Sequence, residues 1–346
     1  MKRAFILSTG ADTGGAAVRV VEAFRGSRSW SVRSMVASTN YIAYPADLPY
    51  ERAELDIRYR DADVVVLNNT LHGHHWYDEG QGKPTVLMHH GLHDGHYAQS
   101  LGEVIEEATD IGAIQIGSTV NLELFGPITW VPIPYDLDAL AAMRKRLYRP
   151  KPGVVRVAHC PTDRTIKSTD AFLSAVEDLQ ARDVPIEAVL VEGKTHEETL
   201  AIKATSADVL VDQVMLGYGN NAIEAWGMGI PVLGGVSQYP DWREHMLRRF
   251  RRLPFFEVDE ASLGAGLEQM AVSERLRAEW GAIGLDHVRR FHSRAVVVEQ
   301  LAAVYAQARP SKPSDPALTR RKPRNYVAQR CRAHAAARRE VAAWRP

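Results

Sequence analysis

Four groups of residues in this chain are of types and spacings that do chemistry. The first is Arg164 and Lys167, three apart in HCPTDRTIKSTD, where a loop or first helical turn lets a guanidinium and an ammonium point into one place. Such a pair suits a diphosphate, because a planar fork of donors and a compact charge together meet its oxygens. The competing assignment is a pair of solvated surface cations, the usual fate of Arg and Lys. The second group is His89, His90 and His93, which with Asp94 and His96 make up HHGLHDGH. Imidazoles here suit substrate contact first, a solvated loop second and a metal third, since no Cys or Glu joins them at zinc spacing. His72, His74 and His75 form a second polar cluster upstream.

The third group lies in ADVLVDQVMLGYGNNAIEAWGMGIPVLGG, residues 207–235, and comprises Gly217, Tyr218, Gly219, Asn220, Asn221 and Glu224. A glycine-bearing loop that opens a helix leaves backbone N–H groups at the positive end of the helix dipole, where an anion is stabilised. Glu224, expected in the first turn of that helix, is placed to accept bonds from hydroxyls next to a bound phosphate. An ordinary crossover accounts for the same residues if Asn220 or Asn221 caps the helix and Glu224 complements its dipole. The fourth group is Gly14 and Gly15 in STGADTGGAAVRVVEAF. They either bring backbone close to a ligand or make a tight turn. The full spaced-glycine dinucleotide fingerprint is absent.

The elements that must hold these groups follow from hydrophobic patterning. Apolar, β-branched runs at 4–8, 32–38, 61–69, 84–91, 111–118 and 128–136 alternate with helix-compatible stretches, which argues for a parallel sheet with helices on its faces. Residues 136–153 turn polar and basic, with prolines at 150 and 152, and mark a domain boundary. A second alternation follows: strand 154–160, helix at about 168–182, strand 186–193, helix at about 195–205, then the stretch at 207–235. Two Rossmann-like halves with a ligand cleft between them are the expected architecture. Residues 286–308 read as one long amphipathic helix with Val288, Phe291, Val296, Leu301, Val304 and Tyr305 on its apolar side. The expected divisions are an N-terminal domain over 1–140, a C-terminal domain over 152–286, a long helix over 287–308 and an extension over 309–346.

Composition excludes several classes. Among the 346 residues, 45% are hydrophobic and 24% charged, which describes a globular chain and neither a disordered nor a fibrous one. The formal net charge is zero, but residues 311–346 carry ten Lys or Arg against Asp315 and Glu340. A mildly acidic body thus carries a basic tail, read as a solvated extension with an anionic partner as the functional alternative. Cys160 and Cys331 lie far apart and have no ligand-spaced neighbours, which argues for a reducing compartment. The apolar run after the N-terminus is too short for a signal peptide, and no run approaches the roughly 20 apolar residues of a membrane span. A cytoplasmic chain is the expectation.

Taken in order, these features resemble the retaining nucleotide-sugar glycosyltransferases of the two-Rossmann fold called GT-B. The likeness covers about residues 4–306 and rests on the glycine turn after the first strand, the His-bearing strand end, the Arg164 and Lys167 loop, and EAWGMGIPV from Glu224 to Val232. The resemblance implies that Arg164 and Lys167 neutralise the donor diphosphate and that Glu224 holds the ribose hydroxyls. It implies that Gly14 and Gly15 offer N–H groups to the phosphates, and that a histidine among 89–93 contacts the sugar near its anomeric carbon. Prearranged cations and dipoles lower the barrier to departure of a nucleoside diphosphate without a metal, so neither metal nor cofactor is expected. UDP and GDP donors stay open, as does the acceptor.

The sequence departs from the family pattern at Leu216, eight positions before Glu224, where a second glutamate usually touches the donor sugar. Asp212, Gln213, Asn220 and Asn221 are the neighbouring polar groups. An inactive nucleotide-binding or scaffolding protein and a sugar-nucleotide epimerase are the alternatives to a transferase.

Overall fold

Continuous apolar runs become parallel strands buried on both faces, as βαβ connections require. The computed structural model describes residues 1–38, 40–68, 82–90 and 95–312, which cluster into two units, each with its own sheet. In the first unit the strands are β1 (Lys2–Ala11), β2 (Trp30–Ser38), β3 (Val64–Asn68), β4 (Thr85–His89), β5 (Ile114–Gly117) and β6 (Ile128–Trp130). They lie parallel in the order β2-β1-β3-β4-β5-β6, with Leu7 opposite Leu67 and Leu67 opposite Leu87. Helices α1 (Ala16–Ala23), α2 (Arg52–Asp61) and α3 (Gly95–Asp110) belong to this unit. Its core includes Phe5, Leu7, Met35, Leu55, Leu67 and Leu87.

The second unit opens with α4 (Leu137–Leu147), whose Asp136 side chain accepts the Ala139 N–H as an N-cap. Its strands are β7 (Val155–His159), β8 (Ile186–Leu190), β9 (Val209–Val211), β10 (Val232–Gly234) and the two-residue β11 (Phe256–Glu257). The helices are α5 (Thr169–Ala181), α6 (His196–Ser206), α7 (Asn220–Gly227), α8 (Pro240–Phe250), α9 (Leu263–Val272) and α10 (Glu274–Phe291). Val157, Phe172, Val211, Leu233 and Leu267 form the core.

Strand order locates each unit's crevice. In the second sheet, β11-β10-β9-β7-β8, the winding reverses between β7 and β9. In the first it reverses between β1 and β3. Ligands of open α/β sheets bind at the carboxyl ends of strands flanking such a reversal. The Arg164 and Lys167 loop follows β7, the glycine loop follows β9, and Gly14 and Gly15 follow β1.

Where the sequence reads as one helix over 286–308, the chain makes two. Helix α10 ends at Phe291 and α11 (Arg294–Gln307) begins after His292 and Ser293. His292 is buried at the break, while α11 packs within the first unit, Tyr305 lying 5.9 Å from the Phe24 ring and 5.3 Å from that of Trp30. Among the described residues no helix is long and apolar enough to cross a membrane.

Candidate functional site

The second unit's site is built on His159, the last residue of β7. Its Nδ1 meets the Val211 carbonyl at 2.9 Å and its Nε2 meets Thr169 Oγ1 at 3.0 Å. The carbonyl only accepts, so Nδ1 carries the hydrogen and Nε2 accepts from the threonine. The neutral ring thereby ties the end of β7 to the end of β9 and to the start of α5. Burial pulls its pKa down to about 4. Sequence reading did not single out His159.

The loop between β7 and α5 is closed by Asp163, whose side chain accepts the Ile166 N–H and whose carbonyl accepts the Lys167 N–H. Lys167 then reaches the carboxyl end of β9. Its Nζ lies 2.5 Å from Asp212 Oδ1 and 3.2 Å from Gln213 Oε1, so two of its three donors are taken. The other Asp212 oxygen accepts the Gly219 N–H at 2.6 Å. Asp212, fully buried, therefore joins the lysine to the amino end of α7. Arg164 takes a different direction. Half exposed, it forms a bidentate pair with Glu192 at 2.9 and 2.7 Å, with Asp170 at 3.5 Å. The two cations of the motif are thus held by different carboxylates.

Helix α7 starts at Asn220, with Gly219 as an N-cap that has no side-chain bond. Glu224 lies beyond the first turn. Asn220 accepts from the Tyr135 hydroxyl at 2.8 Å, and Asn221 donates to the Cys160 carbonyl at 2.9 Å, so both side chains serve tertiary contacts. Glu224 is buried between two partners: Oε1 accepts from His196 Nε2 at 2.8 Å, and Oε2 pairs with the fully buried Lys203, which also meets Asn221 Oδ1 at 2.9 Å. Tyr218 turns inward. Its hydroxyl lies 3.1 Å from His287 Nε2 and 3.4 Å from His292 Nε2, and its ring packs edge-on against Trp226. Gly217 donates to the Gly235 carbonyl at 2.8 Å, fastening the loop to the strand end after β10. Leu216 is half-buried, and its carbonyl accepts from Gln213 at 3.1 Å.

In the first unit, Gly14 and Gly15 both have left-handed backbone, at φ 65° and 67°. A Cβ on Gly15 would stand 2.5 Å from the Tyr44 ring, so close packing as well as dihedral demands glycine there. The amino end of α1 already holds an anion of the chain's own, because the Asp12 carboxylate accepts the Ala17 and Val18 N–H groups at 2.9 and 3.1 Å. Burial raises the Asp12 pKa against the lowering pull of those bonds.

His89 is fully buried, and its Nε2 faces Gln115 Oε1 at 2.9 Å. The Gln115 amide donates to the Ile105 carbonyl and to Thr109, so its oxygen accepts and His89 carries its hydrogen on Nε2. The Nδ1 of His89 is then a buried acceptor with no partner among the described residues, and burial lowers the ring's pKa to about 4. His90 Nδ1 lies 3.2 Å from Ser118 Oγ. His93, with His72, His74 and His75, lies outside the described residues, as do Cys331 and the basic tail from residue 313.

Lys203, His196 and His159 are residues around these groups that motif reading did not place, and Asp212 was named only as one of four neighbouring polar groups. A polar residue directly after the apolar run of β9 was the available signal for Asp212; nothing in the pattern of α6 marks Lys203 as buried.

No family model and no curated protein matches the sequence. Solved structures do match its fold. Sucrose-phosphate synthase from Thermosynechococcus elongatus superposes with a TM-score of 0.60 at 14% identity, over 89% of this chain and 99% of that one. An alpha-glucosyltransferase in complex with UDP and a 13-mer DNA containing a HMU base gives 0.60 at 10% identity, over 88% and 99%. HepE from Anabaena in complex with UDP gives 0.55 at 11% identity, over 88% and 100%. With two parallel, doubly wound units and these glycosyltransferase structures matched along nearly their whole length, the chain has the GT-B fold.

Proposed function

We propose that the chain is a glycosyltransferase that moves a sugar from a nucleoside-diphosphate sugar to an acceptor, with retention and without a metal. The observation that carries this reading is the Lys167–Asp212–Gly219 linkage, which sets a lysine and a helix amino end together at the switch point of the second sheet. Its support from outside the chain is the fold shared with structures that hold UDP.

In this reading the diphosphate lies against the amino end of α7, and the remaining donor of Lys167 meets its oxygens. Arg164 turns from Glu192 to share the same charge. As the bond to the anomeric carbon breaks, negative charge grows on the leaving phosphate, and Lys167 and the helix end stabilise it without reorganising. Glu224, oriented by Lys203 and His196, accepts the ribose hydroxyls with its remaining lone pairs. Asp212 organises the glycine loop by holding Lys167 and the Gly219 N–H together. In the first unit, Gly14, Gly15, His89, His90 and His93 are the ligand contacts of this reading. The work is assigned to the cytoplasm.

The test is thermal unfolding with UDP, GDP and their sugars. A nucleotide at a hundred times its Kd stabilises by about 2.7 kcal/mol, and Lys167→Ala removes most of that shift. If none of these nucleotides moves the midpoint, the reading is wrong. Binding without donor loss or product formation favours an inactive nucleotide-binding protein. Isomerisation of a donor sugar in the absence of any acceptor marks an epimerase.

A further inference from the structure

Six arginines of the second unit gather at one junction. Residues 248–252 read RRFRR and residues 289–290 read RR. The fold brings the two runs together, because the ring of Phe250 at the end of α8 lies 5.2 Å from that of Phe291 at the end of α10. Arg248, Arg249, Arg251, Arg252, Arg289 and Arg290 are all exposed.

Cations in the last turn of a helix ordinarily complement its dipole, and part of the cluster answers to that. Arg248 pairs with Glu244, and Arg290 lies 3.6 Å from Asp286. Arg251 and Arg252 lie past the end of α8, Arg251 at φ 67°. The side chains of these two and of Arg289 have no hydrogen-bond or ion-pair partner among the described residues. In a chain of zero formal net charge, these three guanidinium groups stand without a counterion among the described residues.

We infer that the junction of α8 and α10 binds the phosphate backbone of nucleic acid. All six cations are arginine, whose planar fork pairs bidentately with phosphate where lysine offers a point charge. A bilayer is the other extended polyanion, but surfaces that lie on membranes add exposed apolar side chains. The large exposed apolar side chains among the described residues are Met1, Tyr41, Tyr50, Ile57 and Val272, and none belongs to either run. The Phe250 ring also lies 6.5 Å from that of Tyr218, which sets the patch beside the glycine loop. The inference needs no sugar donor and stands whether or not the transferase reading does.

Fluorescence anisotropy with the full chain and a labelled 20-base-pair duplex of mixed sequence, without nucleotide sugar, tests it. Neutralising about three phosphates gives a log–log salt slope near −2.7, so affinity falls about 40-fold between 50 and 200 mM salt. Arg251→Glu/Arg252→Glu/Arg289→Glu is expected to weaken binding at least tenfold and to flatten the slope, in the full chain and in a chain lacking residues 311–346. Two results overturn the inference. One is duplex affinity and slope unchanged in the triple variant. The other is loss, in that variant, of binding to vesicles of anionic phospholipid while duplex binding persists.

Discussion

A lysine side chain with no solvent exposure is rare unless a carboxylate meets it, and Lys203 has one in Glu224. Removing one partner of a buried pair strands the other charge, which costs about 3–5 kcal/mol, whereas replacing both with apolar groups of similar volume is often neutral. Lys203→Met is therefore expected to lose about 3–5 kcal/mol, and Lys203→Met/Glu224→Leu to regain most of it. Urea denaturation with unchanged m-values reads both, and strictly additive losses would show that the two residues are not coupled. The proposed ribose contact has a separate readout. Glu224→Gln is expected to weaken UDP more than 2′-deoxy-UDP in calorimetric titration, because a lost hydroxyl contact cannot penalise a ligand that lacks the hydroxyl. Equal weakening of the two would assign Glu224 to the scaffold alone.

At the scale of elements, the glycine loop depends on the strand end it is fastened to. A Cβ on Gly235 would stand 1.9 Å from the Val258 carbonyl oxygen and 2.2 Å from that of Val214, and neither atom is the end of a flexible side chain. Gly235→Ala must move backbone on both sides, at a cost of about 1–3 kcal/mol or more. Because Gly235 also accepts the Gly217 N–H, the change is expected to abolish the nucleotide-induced thermal shift as well. A Gly235→Ala protein that keeps both wild-type stability and that shift refutes the coupling. Much of this framework was legible in the sequence. The runs at 4–8, 32–38 and 84–91 lie within or over β1, β2 and β4, because a parallel strand is a continuous apolar segment bounded by turn residues. The glycine loop and its helix were legible for the same reason. The two-residue β11 gave no pattern, and the break between α10 and α11 falls where apolar periodicity continues on both sides of His292. Asp212 as a link, Lys203 as a buried cation and Asp12 as the occupant of the α1 amino end are tertiary facts. No spacing encodes which carboxylate a lysine reaches.

At the scale of the whole chain, acid should destabilise both units, and by the same chemistry. His89 in the first unit and His159 in the second have pKa values near 4, and burial takes His287 well below its ordinary value. His287 packs against Tyr218, Phe250, Phe291 and His292, with Arg290 adding to the same downward pull. A histidine whose folded pKa lies below its unfolded value of about 6.5 binds its proton only on unfolding, so its contribution is full above that value and is lost as pH falls toward 4. Each such group contributes a slope of up to about 1.4 kcal/mol per pH unit in that window. Asp12, with a raised pKa, works in the opposite direction, because its folded form gains a proton before its unfolded form does. Glu192, Glu198 and Asp259 have lowered pKa values, so their losses come below the ordinary carboxylate range, at more acid pH. Denaturant midpoints at pH 7.5, 6.5, 5.5 and 4.5 should fall steeply only below 6.5. His89→Gln keeps a donor for Gln115 and removes the titrating ring, so it should flatten the fall by about 1.4 kcal/mol per pH unit. Where the units unfold separately, the flattening is confined to the transition of the first, since His159 and His287 both lie in the second. A His89→Gln profile parallel to wild type across this range would mean that His89 is protonated in the folded chain, against the neutral ring that its burial favours over the opposing pull of its bond to Gln115.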